Sequence, residues 1–287
     1  MTDTTFAAQY LAQLDAFATR SPPPRVRALH LPPAMPVAER NANQGEFCAL
    51  ELDDGSLGLS YVLLDDTLER LRADESAFQL AGADALAVAR GYAGGAGLRK
   101  TLGFAAANAL TRCLFNRAGF APPASADSIG QMAPGAGDHI GMIGLFRPLL
   151  GRIVESGARL TVIELNPELA GAQDGYLVTL DAEALAACDK VVSTSTLLLN
   201  DTLDRMLACC RNARWFAMIG PGAGCLPDAL FARGVTLLGG NWIVDGPNFI
   251  DALRRGESTS AFSRKSAITP ASYPGTAALL QRIGNAA

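Results

Sequence analysis

The sequence predicts an α/β protein in two parts, a smaller α+β domain followed by a domain built on a parallel sheet. Three observations lead there. Apolar residues make up 49% and charged residues 18% of the chain, a globular composition with ample core material. In the first half, strands precede helices, the order of an α+β domain. In the second half, short and wholly apolar segments alternate with helical ones, as strands covered on both faces of a parallel sheet do. With 287 residues there is room for one large domain or two ordinary ones.

Phe6, Tyr10, Leu14 and Phe17 recur at helical spacing and predict an amphipathic helix over 4–19. Ser21 and the run Pro22-Pro23-Pro24 end it. Residues 25–31 read as a strand. EFCALELDDGSLGLSYVLL (46–64) reads as a hairpin, with Asp54-Gly55 supplying the positive φ angles of a tight turn. Helices are expected over 65–73 and 76–90. GYAGGAG (91–97) reads as a flexible joint. LRKTLGFAAANALTRCLF (98–115) is a long helix with a small-residue face at Gly103, Ala106, Ala107 and Ala109. The first domain is thus placed at 1–120 and a linker at 121–135, on the composition of APPASAD (121–127).

The second domain, 136–256, opens with the strand HIGMIG (139–144). A helix follows, FRPLLGRIVESG (146–157), with Pro148 in its first turn and Gly157 as its stop. LTVIELN, DKVVSTST, WFAMIG and VTLLGG are further strands, and TLDRMLACCRN, PDALFARG and PNFIDALRRG are helices, the last closed by Gly256. This alternation is Rossmann-like. Residues 257–287, rich in Ser, Thr and Ala, are either a loose tail or a segment that folds back.

In such a sheet ligands bind beyond the carboxyl ends of the strands. A dinucleotide turn needs G-x-G-x-x-G, and counting from the first strand end gives Gly144, Phe146 and Leu149. Only the first glycine is present, and Phe146 stands where a pyrophosphate would need bare backbone. Glu164 ends the second strand, 20 residues after Gly144, where related folds hold a ribose hydroxyl; the alternative is a solvated carboxylate shaping the turn before Pro167. Ser193, Thr194, Ser195 and Thr196 end the third strand, and Asn200 or Asp201 is either a helix N-cap or a ligand contact. Gly220, Pro221, Gly222, Ala223 and Gly224 follow the fourth; they form either a plain turn or a set of amide donors for a carboxylate or phosphate. Gly239-Gly240 closes the next strand and Asp245 follows. Four successive strand ends carrying small or polar groups point to one ligand site at that edge.

Other classes are disfavoured. The net charge of −4 gives no basic stripe for a nucleic acid. No apolar run reaches membrane-spanning length, and the first residues carry no basic leader pattern. Cys48, Cys113, Cys188, Cys209, Cys210 and Cys225 form no zinc-type spacing and read as buried reduced thiols of a cytoplasmic protein. His30 and His139 are the only histidines; His139 starts a strand at the end away from the site, and neither histidine completes a Ser-His-Asp set.

The stretches LGFAAANALT (102–111), IGMIGLFRPLL (140–150), VIELNPE (162–168), STSTLLLNDTLDRML (193–207), IGPGAGCLPDALF (219–231) and GVTLLGG (234–240) resemble, in order, the DUF364 family, which is associated with heavy-metal chelation, with a DUF4213-type N-terminal part. The resemblance implies an enolase N-terminal-like first domain, a Rossmann-like second domain and a site in the cleft between them. It further implies that Asn108 enters the cleft from the first domain, and Glu164, Asn166, Asn200, Gly220 and Pro221 from the second. The chain departs from the family pattern where STST (193–196) replaces a glycine-containing segment.

The leading expectation is a protein that binds a small anionic ligand or a metal–ligand complex in the interdomain cleft. Its contacts would be Asn108, Gly144, Phe146, Glu164, Asn166, Thr196, Asn200, Gly220, Pro221 and Gly222, with Glu164 as a hard oxygen ligand for a divalent metal. The second is an enzyme using a nucleotide-type cofactor: S-adenosylmethionine in a transferase, which has no pyrophosphate to seat, or a nicotinamide in a reductase. The third is a scaffold that forms a homodimer through the apolar helix near 98–117.

Overall fold

The computed structural model describes residues 4–34, 46–64, 66–73, 80–125 and 131–284. The first domain opens with α1 (Phe6–Arg20), whose N-cap Thr5 accepts the Ala8 amide at 3.3 Å and whose buried face is Phe6, Tyr10, Leu11, Leu14 and Phe17. Three strands follow, β1 (Val26–His30), β2 (Phe47–Leu52) and β3 (Leu57–Tyr61), paired antiparallel in the order β1-β2-β3. The hairpin turns where expected, with Gly55 at φ 80° and the Asp54 carboxylate accepting the Ser56 amide at 2.9 Å.

Four helices complete the domain: α2 (Thr67–Ala73), α3 (Ala85–Ala89), α4 (Gly91–Gly94) and α5 (Leu98–Arg117). The helix expected over 76–90 is thus shorter. Asp84 caps α3 by accepting the Ala87 amide at 2.9 Å, and residues 74–79 lie outside the described residues. The glycines of 91–97 do not form a joint. Gly91–Gly94 is a helical turn, Tyr92 is buried, and its hydroxyl donates to the Leu198 carbonyl at 2.6 Å. The missing side chains instead allow backbones to touch: a Cβ on Gly103 of α5 would lie 2.2 Å from the Tyr92 nitrogen. Only Arg99, Arg112, Asn116 and Arg117 of α5 escape full burial, because the helix lies between the small sheet and the second domain.

The second domain contains β4 (His139–Ile143), α6 (Arg147–Glu155), β5 (Arg159–Ile163), β6 (Gly171–Gln173), β7 (Tyr176–Thr179), β8 (Lys190–Thr194), α7 (Leu203–Cys209), β9 (Trp215–Ile219), α8 (Asp228–Phe231), β10 (Leu237–Ile243), α9 (Gly246–Arg255), β11 (Ser263–Ile268) and α10 (Thr276–Gly284). Its strands form one eight-stranded sheet, ordered β11-β10-β9-β8-β4-β5-β7-β6. β4, β5, β7, β8, β9 and β10 run parallel, and β6 and β11 are antiparallel edges.

The strand VTLLGG does not stop at Gly239-Gly240; it continues to Ile243 because β11 pairs along it, Gly240 opposite Ser266. The segment after residue 256 therefore folds back. Its end is tied by Asp228, which accepts from the Tyr273 hydroxyl at 3.0 Å and the Thr276 hydroxyl at 2.7 Å. Part of the expected linker also joins the edge, with Ala124 bridging Ser266.

One face of the sheet, including Ile140, Met142, Leu160 and Val162, packs on Leu149 and Ile153 of α6. The other face shares a core with the first domain, where Ile143, Ile163 and Val191 belong to the same cluster as Phe104 and Leu110 of α5. Among the described residues no helix is long and apolar enough to cross a membrane.

Candidate functional site in the interdomain cleft

The chain leaves β4 towards β5 on one side and returns to β8 on the other, so the strand order reverses between β4 and β8. Crevices in open parallel sheets form at such a reversal, beyond the carboxyl ends of the strands. A cleft of about 1060 Å³ lies there. Gly144 and Phe146 line it after β4, Glu164 after β5, Thr194, Ser195, Thr196 and Asn200 after β8, Gly220 and Pro221 after β9, and Gly239, Gly240 and Asn241 in β10. The first domain contributes the opposite wall, with Phe47 and Tyr61 edge to face at 5.7 Å between ring centroids, and Leu59 beside them.

Several expected contacts are already engaged within the protein. Asn108 is buried, and its Oδ1 accepts from the Tyr10 hydroxyl at 3.0 Å while its Nδ2 donates to the Leu59 carbonyl at 2.8 Å and the Gly222 carbonyl at 3.4 Å. It ties the two domains together beside a small adjoining cavity and does not line the main cleft. Asn166 is exposed, off the cleft, and its side chain accepts the Glu168 amide at 3.0 Å. Gly222 is buried against Phe104 and Ser195 and does not line the cleft. Asn200 lines it, but its Oδ1 holds the Thr202 hydroxyl at 2.5 Å, leaving only its Nδ2 for a ligand. Asp245 caps α9 through the Asn248 amide at 3.2 Å.

The glycine loop after β9 offers fewer donors than its sequence suggests. The Gly220 amide donates to the Gly239 carbonyl at 2.9 Å and the Ala223 amide to the Gly220 carbonyl at 3.0 Å. The next helix, α8, starts at Asp228, so its N-terminus does not abut the loop. The glycines serve clearance instead: a Cβ on Gly220, at φ 133°, would lie 2.7 Å from Ser195 Oγ. At Gly144, φ 83°, the amide donates to the Ile163 carbonyl at 2.9 Å.

What stays free faces the cleft. Ser195 is 6% exposed, lines the cleft, and has no hydrogen-bond partner for its hydroxyl among the described residues. Thr196 shares its hydroxyl with Thr194 at 2.9 Å. Glu164 is half-buried, and among the described residues its carboxylate meets only the adjacent Leu165 amide, at 3.3 Å. Arg147 and Lys265 line the rim without a carboxylate partner among the described residues, whereas Glu257 is paired with Arg255 at 2.9 Å. Sequence reasoning missed Lys265, Phe47 and Tyr61, since nothing local marks them as neighbours of the strand ends.

A soft-metal cage does not fit these residues. Among the described residues no group of three His, Cys, Asp or Glu could hold a metal ion. All six cysteines are buried, and burial pushes the thiols of Cys48, Cys113, Cys210 and Cys225 up to about 12 and that of Cys188 to about 11. The thiolate is the metal-binding form. His139 lies at the opposite end of β4, between the Ala187 carbonyl at 2.8 Å and the Thr161 hydroxyl at 2.9 Å. Burial, and then Arg159, hold its proton affinity below the usual histidine value.

Fold and cleft define a two-domain protein in which an α+β domain covers the carboxyl edge of a Rossmann-like sheet. The DUF364 family, described as "Putative heavy-metal chelation", matches residues 127–271, and DUF4213, described in the same words, matches residues 45–111. The chain belongs to the DUF364 family. A DUF364 protein of unknown function from Desulfitobacterium hafniense DCB-2 has a similar structure, with 19% identity, 92% of this chain and 100% of that one covered, and a TM-score of 0.64. Another, from Pyrococcus horikoshii, shows 19% identity, coverage of 91% and 99%, and a TM-score of 0.66. An uncharacterised protein of Methanocaldococcus jannaschii is 28% identical over 169 residues, 58% of this chain. The match spans 62% of that relative, less than two thirds of its length.

Proposed function

We propose that the cleft binds a small anionic organic ligand, alone or as a complex with a metal whose coordination the ligand largely completes. The observation that carries this reading is the Ser195 hydroxyl, which lines the cleft with no hydrogen-bond partner among the described residues. It sits on a nearly buried residue and faces the cleft at the reversal of strand order. A hydroxyl that stays open only towards a cleft is met there by water or by a ligand. Arg147 and Lys265, without a carboxylate partner among the described residues, supply positive charge at the rim, which suits an anion. Glu164 accepts a hydroxyl or offers one hard oxygen to a metal that the ligand brings with it. The family description is compatible with such a complex; the side chains themselves make no soft cage.

The second reading is an enzyme with a nucleotide-type cofactor. Glu164 favours it, because a carboxylate at the end of the second parallel strand is where Rossmann-like folds hold ribose hydroxyls. Phe146 at the first turn favours S-adenosylmethionine over a nicotinamide dinucleotide.

Native mass spectrometry of freshly purified protein, with metal analysis on the same sample, tests both. A bound mass should be present and should be lost in Ser195→Ala and Glu164→Ala, with the melting temperature of the ligand-free proteins unchanged. Its size separates a nucleotide from a metal complex. A ligand-free mass, together with no thermal stabilisation by divalent metals, S-adenosylmethionine or nucleotides, would overturn the binding reading in favour of a scaffold.

A further inference from the structure

We propose that the β10–β11 end of the cleft is a phosphoryl-binding subsite built around Lys265 and Asn241. The pairing of β10 with β9 stops at Gly239 opposite Ile219, but β10 runs on to Ile243 with β11 beside it. The two strands therefore project past the sheet as a ribbon. Asn241 stands about 7 Å beyond the end of β9, two residues at ~3.3 Å each. Asn241 and Lys265 are direct partners in the ladder and both line the cleft, so their side chains share one face. Two residues back on that face stand Gly239 and Ala267, also partners, which leave the floor nearly bare.

Lys265 is firmly placed, yet its charge is unused. β10 pairs along one side of its backbone, and on the other its carbonyl accepts the Ser125 amide at 3.0 Å. Of the three lysines in the chain, Lys100 is paired with Asp201 and Lys190 with Asp138. Lys265 is exposed in the cleft and has no carboxylate within ion-pair distance among the described residues. Glu257, the cleft carboxylate on the loop after α9, is taken by Arg255 at 2.9 Å. Arg112 and Arg264 flank Trp242 on the opposite face of the ribbon, also without a carboxylate partner among the described residues, and raise the local positive potential.

The neighbouring donors select the anion. The Asn241 amide has no side-chain hydrogen bond among the described residues. Thr259 lines the cleft too, and its hydroxyl does not cap the helical turn Ser260–Phe262 that it precedes. It is held beside β11 by the Ser263 hydroxyl, which donates to the Thr259 carbonyl at 3.3 Å. An ammonium binds phosphate as a point charge, whereas a planar carboxylate is matched by a guanidinium fork. An ammonium from β11, an amide from β10 and a hydroxyl from the preceding loop surround a tetrahedral group from different sides. The subsite is also far from Glu164. β11 and β5 are five strand spacings apart, ~24 Å at ~4.8 Å each. A small ligand held at Glu164 does not reach Lys265, so the phosphoryl group belongs to a second molecule in the same cleft. That last step rests on the ligand-binding reading above; the affinity of the subsite for phosphate does not.

A chain with three lysines makes the test selective. The full chain is treated with acetic anhydride at pH 8, and each lysine is followed by peptide mass spectrometry against an added lysine peptide as reference. Lys265 should react in the native protein, and Lys100 and Lys190 only on unfolding. Sodium phosphate should slow acetylation of Lys265 roughly fivefold or more, and saturably, by occupying its ammonium. Sodium chloride and sodium acetate at equal ionic strength should not. Asn241→Ala should weaken the protection severalfold, and Glu164→Ala should leave it as in wild type. Equal slowing by chloride or acetate, none by phosphate, unaltered protection in Asn241→Ala, or its loss in Glu164→Ala would overturn the proposal. Failed protection beside a bound native mass that depends on Glu164 removes this subsite alone. Protection in a protein with a ligand-free mass keeps the subsite and counts against the cleft ligand.

Discussion

Replacing Gly58 by alanine tests how α5 is held against the small sheet. Gly58 lies in β3 directly beneath α5. A methyl group there would stand 2.1 Å from the Ala105 carbonyl oxygen, 2.1 Å from the Ala109 nitrogen and 2.7 Å from the Asn108 carbonyl carbon. Ordinary contact begins at 3.4 Å, so α5 must retreat by about 1.3 Å (3.4 minus 2.1). The obstacles are helix backbone and cannot rotate aside. The retreat also draws Asn108 away from the Leu59 carbonyl, now at 2.8 Å, and strains its contact to Gly222 at 3.4 Å. Overpacking of this kind costs about 1–3 kcal/mol, and each buried hydrogen bond contributes about 1 kcal/mol. The expected loss is therefore about 3–5 kcal/mol, a large part of the ~5–15 kcal/mol typical of a folded domain. Urea unfolding followed by circular dichroism and tryptophan emission reads it as a fall in midpoint at constant slope. Gly94→Ala is the control, since a Cβ there meets nothing within 4 Å. A Gly58→Ala loss below about 1 kcal/mol would refute the packing argument.

Three further outcomes are expected. Asp138 is held by Lys190 at 2.7 Å, by the Gly135 amide at 2.9 Å and by Arg214 at 3.0 Å, and Lys190 above all keeps its carboxyl below the usual range. Its contribution is complete above the unfolded carboxylate value of about 4 and is lost as pH falls through the lower folded value. Asp138→Asn should therefore cost about 1–2 kcal/mol at pH 7, with the difference from wild type shrinking below about pH 4; an equal deficit at pH 7 and pH 2.5 contradicts this. All six cysteines should react with a disulfide reagent at pH 8 only as the protein unfolds, given their burial and raised thiol values. Stoichiometric labelling within seconds in native buffer would reopen direct soft-metal binding. Tyr92→Phe removes the buried bond to the Leu198 carbonyl and should cost about 1–3 kcal/mol by leaving that acceptor unmet; no change in urea midpoint would show that water reaches it.

The parallel strands β4, β5, β8, β9 and β10 were legible because burial on both faces forces them to be largely apolar, as in WFAMI and LTVI. β6, β7 and β11 escaped for the converse reason. GAQ is wholly exposed, YLVT buries only Val178, and SRKSAI carries three polar residues towards solvent or the cleft. Such strands are specified by the neighbour they pair with more than by their own pattern. The glycines of 91–97 show the same limit. A glycine run reads alike whether it frees a chain or lets two backbones meet, and only the position of α5 decides for the second.

The site divides along a similar line. Strand ends are placed by topology, so Gly144, Glu164, Thr196, Asn200, Gly220 and Pro221 could be assigned to one edge from sequence alone, and all six line the cleft. Which polar groups remain available is a different matter, because that depends on partners far away in the chain. Asn108 is taken up by Tyr10 and Leu59, 98 and 49 residues away, and Asn166 by its own turn. Ser195 looks interchangeable with Ser193, Thr194 and Thr196 in the run STST, yet Ser193 donates to the Thr194 carbonyl and the two threonines hold each other. Ser195 alone of the four is left open to the cleft. The most informative polar residue is thus singled out by an accounting of hydrogen bonds. An open hydroxyl in the cleft, with no donor cage for a bare metal among the described residues, fits the proposed ligand that brings its own acidic groups.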